Sequence, residues 1–106
     1  MQTRAVGKES KMYIKVKNLN GTSDNNPPSG YTSWKEYWIV AMGYWPSLCA
    51  AYGCYDTPDV GAHVKKVDST DDDWYIVPLC SKHNNQRGEI LYVESDKMVK
   101  ANIKKR

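Results

Sequence analysis

The sequence predicts a small single-domain α+β fold held together by a cross-link rather than by a large core. Three observations point there. The chain has 106 residues, the span of one domain. Alternating and helix-spaced apolar patterns occur in turn along it. The apolar supply is thin and unusual, with four Trp and eight Tyr but no Phe, so the large rings carry polar handles that need partners. Domains this short with so little aliphatic material are commonly stapled by a disulfide or a metal.

The elements follow in order. Residues 1–10 show no periodicity and are expected to be flexible. From 11 to 17, Met12, Ile14 and Val16 alternate with Lys11, Tyr13, Lys15 and Lys17, the pattern of a half-buried strand. Residues 20–30 read as a loop. Ser33 with Glu36 three positions on is a capping box, and Gly43 is the stop, so a helix lies between them with Trp34, Trp38 and Ala41, and Tyr37 alongside, as its apolar stripe. Cys49-Ala-Ala-Tyr-Gly-Cys54 reads as a tight knuckle, with Gly53 free to take a positive φ. Residues 61–67 and 74–77 form a hairpin across the polar run 68–73, and Pro78 is expected to end its second strand. Leu79 to Arg87 reads as a short helix stopped by Gly88, and 89–94 as a last strand. The ordered core thus spans about 11–95, with 100–106 a loose tail.

The cysteines decide the staple. There are three, Cys49, Cys54 and Cys80, and an odd count argues against a disulfide framework. The spacing is Cys-x4-Cys, then Cys80 with His83 as Cys-x2-His. Two close pairs of soft ligands fit a tetrahedral Zn²⁺ site of the Cys3His type; the alternative is three buried free thiols and a surface histidine. Knuckle, hairpin and a short helix carrying the second pair make up the treble-clef zinc arrangement, here with an extra N-terminal strand and helix.

The net charge is +3. Lys and Arg gather at both ends, while residues 54–73 are acidic, with Asp68 and Asp71 to Asp73 read as a solvated turn. Basic ends can contact nucleic acid, and they also serve simply as solvated tails. The longest apolar stretch, residues 38–45, is far short of the roughly 20 residues a membrane span needs. No apolar leader is visible, which makes the cytoplasm the expected location.

The stretch from Cys49 and Cys54 through Gly-Ala-His-Val64 to Trp-Tyr-Ile-Val-Pro-Leu-Cys-Ser-Lys-His-Asn84 resembles the HNH nuclease superfamily, closest in layout to the phage recombination endonuclease VII branch. The resemblance covers roughly residues 45–90. It implies that Cys49, Cys54, Cys80 and His83 hold structural zinc, that His63 is the general base, and that Asn84 orients a catalytic Mg²⁺ or Mn²⁺. Hydrolysis of this kind needs a neutral imidazole to take a proton from water and a hard ion to neutralise the phosphorane. The chain departs from the pattern twice: Ala62 stands where the family has an Asp or His metal ligand, and Arg87 where the branch has a Glu. His63 therefore has three readings, as a residual base, as a zinc ligand in place of His83, or as a structural or binding histidine.

The expected function is a non-catalytic, zinc-stabilised HNH-like module that binds nucleic acid weakly and without sequence preference. Lys82, Asn85 and Arg87 on the short helix, with Lys65 and Lys66 on the hairpin, are the candidate contacts to DNA or RNA. A metal-dependent endonuclease using His63 and Asn84 is the first alternative, and a protein-interaction module the second.

Overall fold

The computed structural model describes residues 12–19, 27–86 and 88–101. Its strands are β1 (Tyr13–Asn18), β2 (Val60–Lys66), β3 (Trp74–Leu79), β4 (Ile90–Glu94) and β5 (Val99–Lys100). Its helices are α1 (Trp34–Met42) and the single-turn α2 (Ser81–Asn84), with one 3₁₀ turn at Ser95–Lys97. All strand pairs are antiparallel, in the order β4-β1-β2-β3-β5.

Local chemistry sets the ends of α1. The Ser33 hydroxyl accepts from the Glu36 amide at 3.0 Å, and Gly43 adopts φ 87° while its N–H closes on the Ile39 carbonyl. The return half of the box is displaced by one residue. The Glu36 carboxylate accepts from the Thr32 amide and hydroxyl, both at 2.7 Å, rather than from Ser33, and these bonds hold its carboxyl below the usual range. The helix buries Trp34, Tyr37 and Trp38, but Ala41 is exposed. Ala41 lies on the same helical face as these rings, in the last turn, and is left uncovered there.

In β1 the alternation holds for Ile14, Val16 and the buried Asn18, whereas Met12 precedes the strand and is 65% exposed. Lys11 lies outside the described residues, as do 1–10 and most of the 20–30 loop. Pro78 does not end β3; it pairs with Gly61 inside the strand and is fully buried. Its carbonyl accepts from the Ala50 amide at 2.9 Å. An extended residue aims its N and O to the same side, so the missing N–H falls on the edge away from β2, where proline costs no ladder bond. The short helix is also shorter than expected. Leu79 belongs to β3, Cys80 is the N-cap, and Asn84 is the last helical residue. The core runs on past residue 95 to Ala101, which is buried and donates to the Trp74 carbonyl at 2.9 Å. Here β5 is fastened by rings of α1, with the Trp38 indole donating to the Lys97 carbonyl (2.9 Å) and the Tyr37 hydroxyl to that of Lys100 (3.0 Å).

The sheet carries a core on each face. One holds Val16, Ala62, Val64, Val77, Leu79, Leu91 and Val93 together with Cys49, Ala50, Ala51 and Cys80. The other holds Trp34, Tyr37, Trp38, Ile76 and Ala101 beneath α1. The knuckle joins strands that the sheet order keeps apart. Ala50 donates to Pro78 of β3 and accepts from Glu94 of β4 at 3.2 Å, while Tyr52 donates to the Tyr92 carbonyl at 2.7 Å. Four strands and the knuckle thus close a ring around the first core.

Gly61 lets α1 sit directly on β2. A Cβ there would lie 2.8 Å from the Trp34 carbonyl carbon and oxygen and 2.9 Å from Ile76 Cγ2. Backbone cannot yield as a flexible side chain can. Gly61→Ala is therefore expected to cost about 2 kcal/mol by overpacking, read as a fall of roughly 10 °C in Tm. An unchanged Tm would show that α1 has room to move off the sheet.

Candidate metal centre

Two segments deliver the ligands. In the knuckle, Gly53 takes φ 76°, and the Cys54 amide closes on the Ala51 carbonyl at 3.0 Å, turning both thiols to one side. Beyond β3, Cys80 caps α2, and His83 follows almost one turn later on the same side. Two residues that spacing alone did not single out hold α2 in place. Asp59 accepts from the Ser81 amide (2.9 Å) and hydroxyl (2.8 Å), which satisfies an orphan donor of the first turn and keeps the Asp59 carboxyl below its usual range. At the other end the buried Asn18 amide donates to the carbonyls of His83 (2.8 Å) and Asn84 (3.2 Å). Both partners are remote in sequence and left no periodic signal.

The result is a cluster of Cys49, Cys54, Cys80 and His83 whose ligand atoms all lie within 4.8 Å of one another. Cys54 Sγ is 3.8 Å from Cys80 Sγ, and His83 Nδ1 is 3.3 Å from Cys80 Sγ and 3.8 Å from Cys49 Sγ. A tetrahedral ion bound about 2.3 Å from sulfur and about 2.0 Å from nitrogen needs edges of about 3.8 and 3.5 Å. The residues therefore fit a metal ion, and none of the three cysteines is in a disulfide.

The electrostatics point the same way. Burial pushes the Cys49 thiol up to about 12, and the neighbouring Cys80 and Cys54 sulfurs add to the shift. The amides of Ala51 and Cys80 oppose it, the latter donating to Cys49 Sγ at 3.3 Å. Several thiolates cannot share so small and dry a space unless a cation neutralises them.

His63 stands elsewhere. Its β2 neighbours Ala62 and Val64 face the ligand cluster, so alternation puts His63 on the opposite face, beneath α1. Its ring packs edge-on against Trp34 at 4.8 Å and Trp74 at 5.7 Å between centroids. Burial lowers its pKa to about 4, and Nε2 is buried with no hydrogen-bond partner.

The remaining candidates divide. Asn84 ends α2, and its carbonyl is taken by Asn18; Lys82 and Asn85 are exposed beside the cluster. Arg87 lies outside the described residues. Lys65 and Lys66 are paired to the hairpin loop, at 3.7 Å from Asp72 and 3.1 Å from Asp71. That loop is more organised than a solvated turn. Asp71 accepts from the Tyr75 hydroxyl at 2.6 Å and the Asp73 amide at 2.9 Å, and these bonds hold its carboxyl well below the carboxylate range. Comparison with protein families, curated proteins and solved structures finds no match to this chain. No described helix is long and apolar enough to cross a membrane.

Proposed function

We propose that the chain is a zinc-stabilised, non-catalytic module of treble-clef, HNH-like layout that binds nucleic acid. The observation that carries the reading is the Cys49–Cys54–Cys80–His83 cluster, which gathers four soft donors at tetrahedral spacing where knuckle and short helix meet. Soft thiolate and imidazole donors select zinc among the common divalent ions. The absence of catalysis is supported by His63, walled between Trp34 and Trp74 on the sheet face away from the cluster, and by Ala62, which offers a methyl group where a hard-metal ligand would stand. Nucleic-acid binding is supported by exposed Lys82 on α2 and Asn85 at its C-cap, and by the lysine-rich ends.

Two measurements on one preparation test it. A plasmid-nicking assay with Mg²⁺ or Mn²⁺ is expected to show no cleavage. Binding to mixed-sequence DNA is expected to be weak and to fall steeply with salt, as counterion release requires, and Lys82→Glu with Arg87→Glu is expected to weaken it further. Nicking that disappears in His63→Ala would replace this reading with the endonuclease. A complete lack of binding near roughly 50 mM salt would favour a protein-interaction role.

A further inference from the structure

Helix α1 covers only part of its sheet face. It packs on β2, β3 and β5, and among the described residues nothing comparable lies over β1 and β4 on that side. The register fixes what is left uncovered. Tyr92 of β4 sits opposite Lys15, and Ile90 opposite Lys17, which in turn faces Lys65 of β2. Tyr92 is 50% and Ile90 47% exposed, although both lie within a strand. Tyr13 stands on the same face, and its ring meets that of Tyr52 edge-on at 4.9 Å.

The rings continue around the knuckle. A cleft of about 360 Å³ runs between Tyr13, Tyr52 and Tyr55. A second of about 280 Å³ shares Tyr52 and Tyr55 and ends at Lys82 on α2. Tyr52 and Tyr55 are 71% and 80% exposed, so neither ring is there to build a core. Each offers a π-face and a wet hydroxyl, and lysines flank the track at both ends. Among the described residues the acids along the track are Glu94, paired to Lys97 at 3.2 Å, and the exposed Asp56, which lines the second cleft with Lys82; Lys15 and Lys65 also reach Asp68 and Asp72 of the hairpin loop.

We infer that the Tyr92–Tyr13–Tyr52–Tyr55 track is a binding platform for single-stranded nucleic acid. This rests on the nucleic-acid reading above and moves its main contact from α2 to the uncovered sheet and knuckle. Unpaired bases stack on aromatic rings, while amines spaced along the track meet the phosphates. A duplex keeps its bases inside and has nothing to lay on four tyrosines. A polyanion is the occupant that suits both the rings and the lysines.

The test uses the full metal-loaded chain and fluorescently labelled thymidine and uridine oligomers of about a dozen nucleotides, beside a mixed-sequence duplex of equal length. Single strands are expected to bind more tightly than duplex. Tyr52→Ala and Tyr92→Ala are each expected to weaken single-strand binding about tenfold and to leave the duplex nearly unaffected. Tyr52→Phe and Tyr92→Phe keep the ring and are expected to keep the affinity. Unchanged metal content and Tm exclude a folding defect at these exposed positions. If the alanine variants bind single strands as well as the parent does, while Lys82→Glu abolishes binding, the track is overturned and the proposed function stands on α2 alone. Equal losses for single strands and duplex overturn it as well. Binding to neither overturns both readings.

Discussion

Chelating the metal proposed for the Cys3His cluster is expected to unfold the protein. A strong chelator should abolish the near-ultraviolet signal of the four tryptophans and the cooperative melting transition, and one equivalent of Zn²⁺ should restore both. The magnitudes decide this. Structural zinc contributes about 10 to 16 kcal/mol of apparent binding free energy, as much as or more than the about 5 to 15 kcal/mol that holds a typical domain together. The cluster is also built into the fold. Cys49 and Cys80 belong to the larger core, and the knuckle bonds to both β3 and β4. Cys80→Ser, at a buried ligand bonded to the next ligand through its own amide, is expected to match the chelated state in circular dichroism even with zinc in excess. A chelated sample that melts at the parent temperature would mean that the three thiols are simply core residues.

The second large effect is acid sensitivity at His63. In the fold this histidine resists protonation until about pH 4, because burial between Trp34 and Trp74 removes the water an imidazolium needs. In the unfolded chain it takes its proton near pH 6.5. Between those values the unfolded state binds more protons, so stability falls as pH drops through 6.5 towards 4. The contribution is about 2 to 3 kcal/mol by pH 4. Protonation of the Cys3His cluster would release a bound metal and also destabilise the fold in acid, so the informative quantity is a difference. His63→Phe keeps a ring in the pocket and has no proton to gain, and its stability from pH 7 to 4 should decline less than the parent's by that amount. Parallel declines would place the acid sensitivity in the metal centre alone.

What was legible in the sequence is what neighbouring residues decide among themselves. Ser33, Glu36 and Gly43 delimit α1 because cap and stop act within one turn, and the paired spacing of Cys49–Cys54 and Cys80–His83 marked four residues that the fold brings together as a group able to hold a metal ion. The rest depends on partners far along the chain. Pro78 reads as a strand ender until Ala50 is seen to occupy the edge where its N–H is missing. Asp59 and Asn18 hold the two ends of α2 from 22 and 65 residues away, and no local pattern marks a residue for that task. β5 is two residues long and exists because Trp38 and Tyr37 anchor the backbone beside it. The sequence left His63 with three readings, because its environment is set by two tryptophans from other elements, Trp34 of α1 and Trp74 of β3.

The strand order carries a consequence for how the chain must fold. β1 lies between β4 and β2, and its register joins Ile14 to Val93 across nearly the whole described chain. The sheet has one hairpin, β2–β3, at its centre; β1 and β5 must join it from segments outside that hairpin, and β4 can dock only once β1 is in place. Closing so long a loop is slow and entropically costly. An ion held by the Cys3His cluster would tie the knuckle to α2 and shorten that search, because it would hold the ends of the intervening hairpin together and bring β4 near its place. Metal capture would then act early, as a nucleus that sets the speed of folding as well as a clamp on the finished structure.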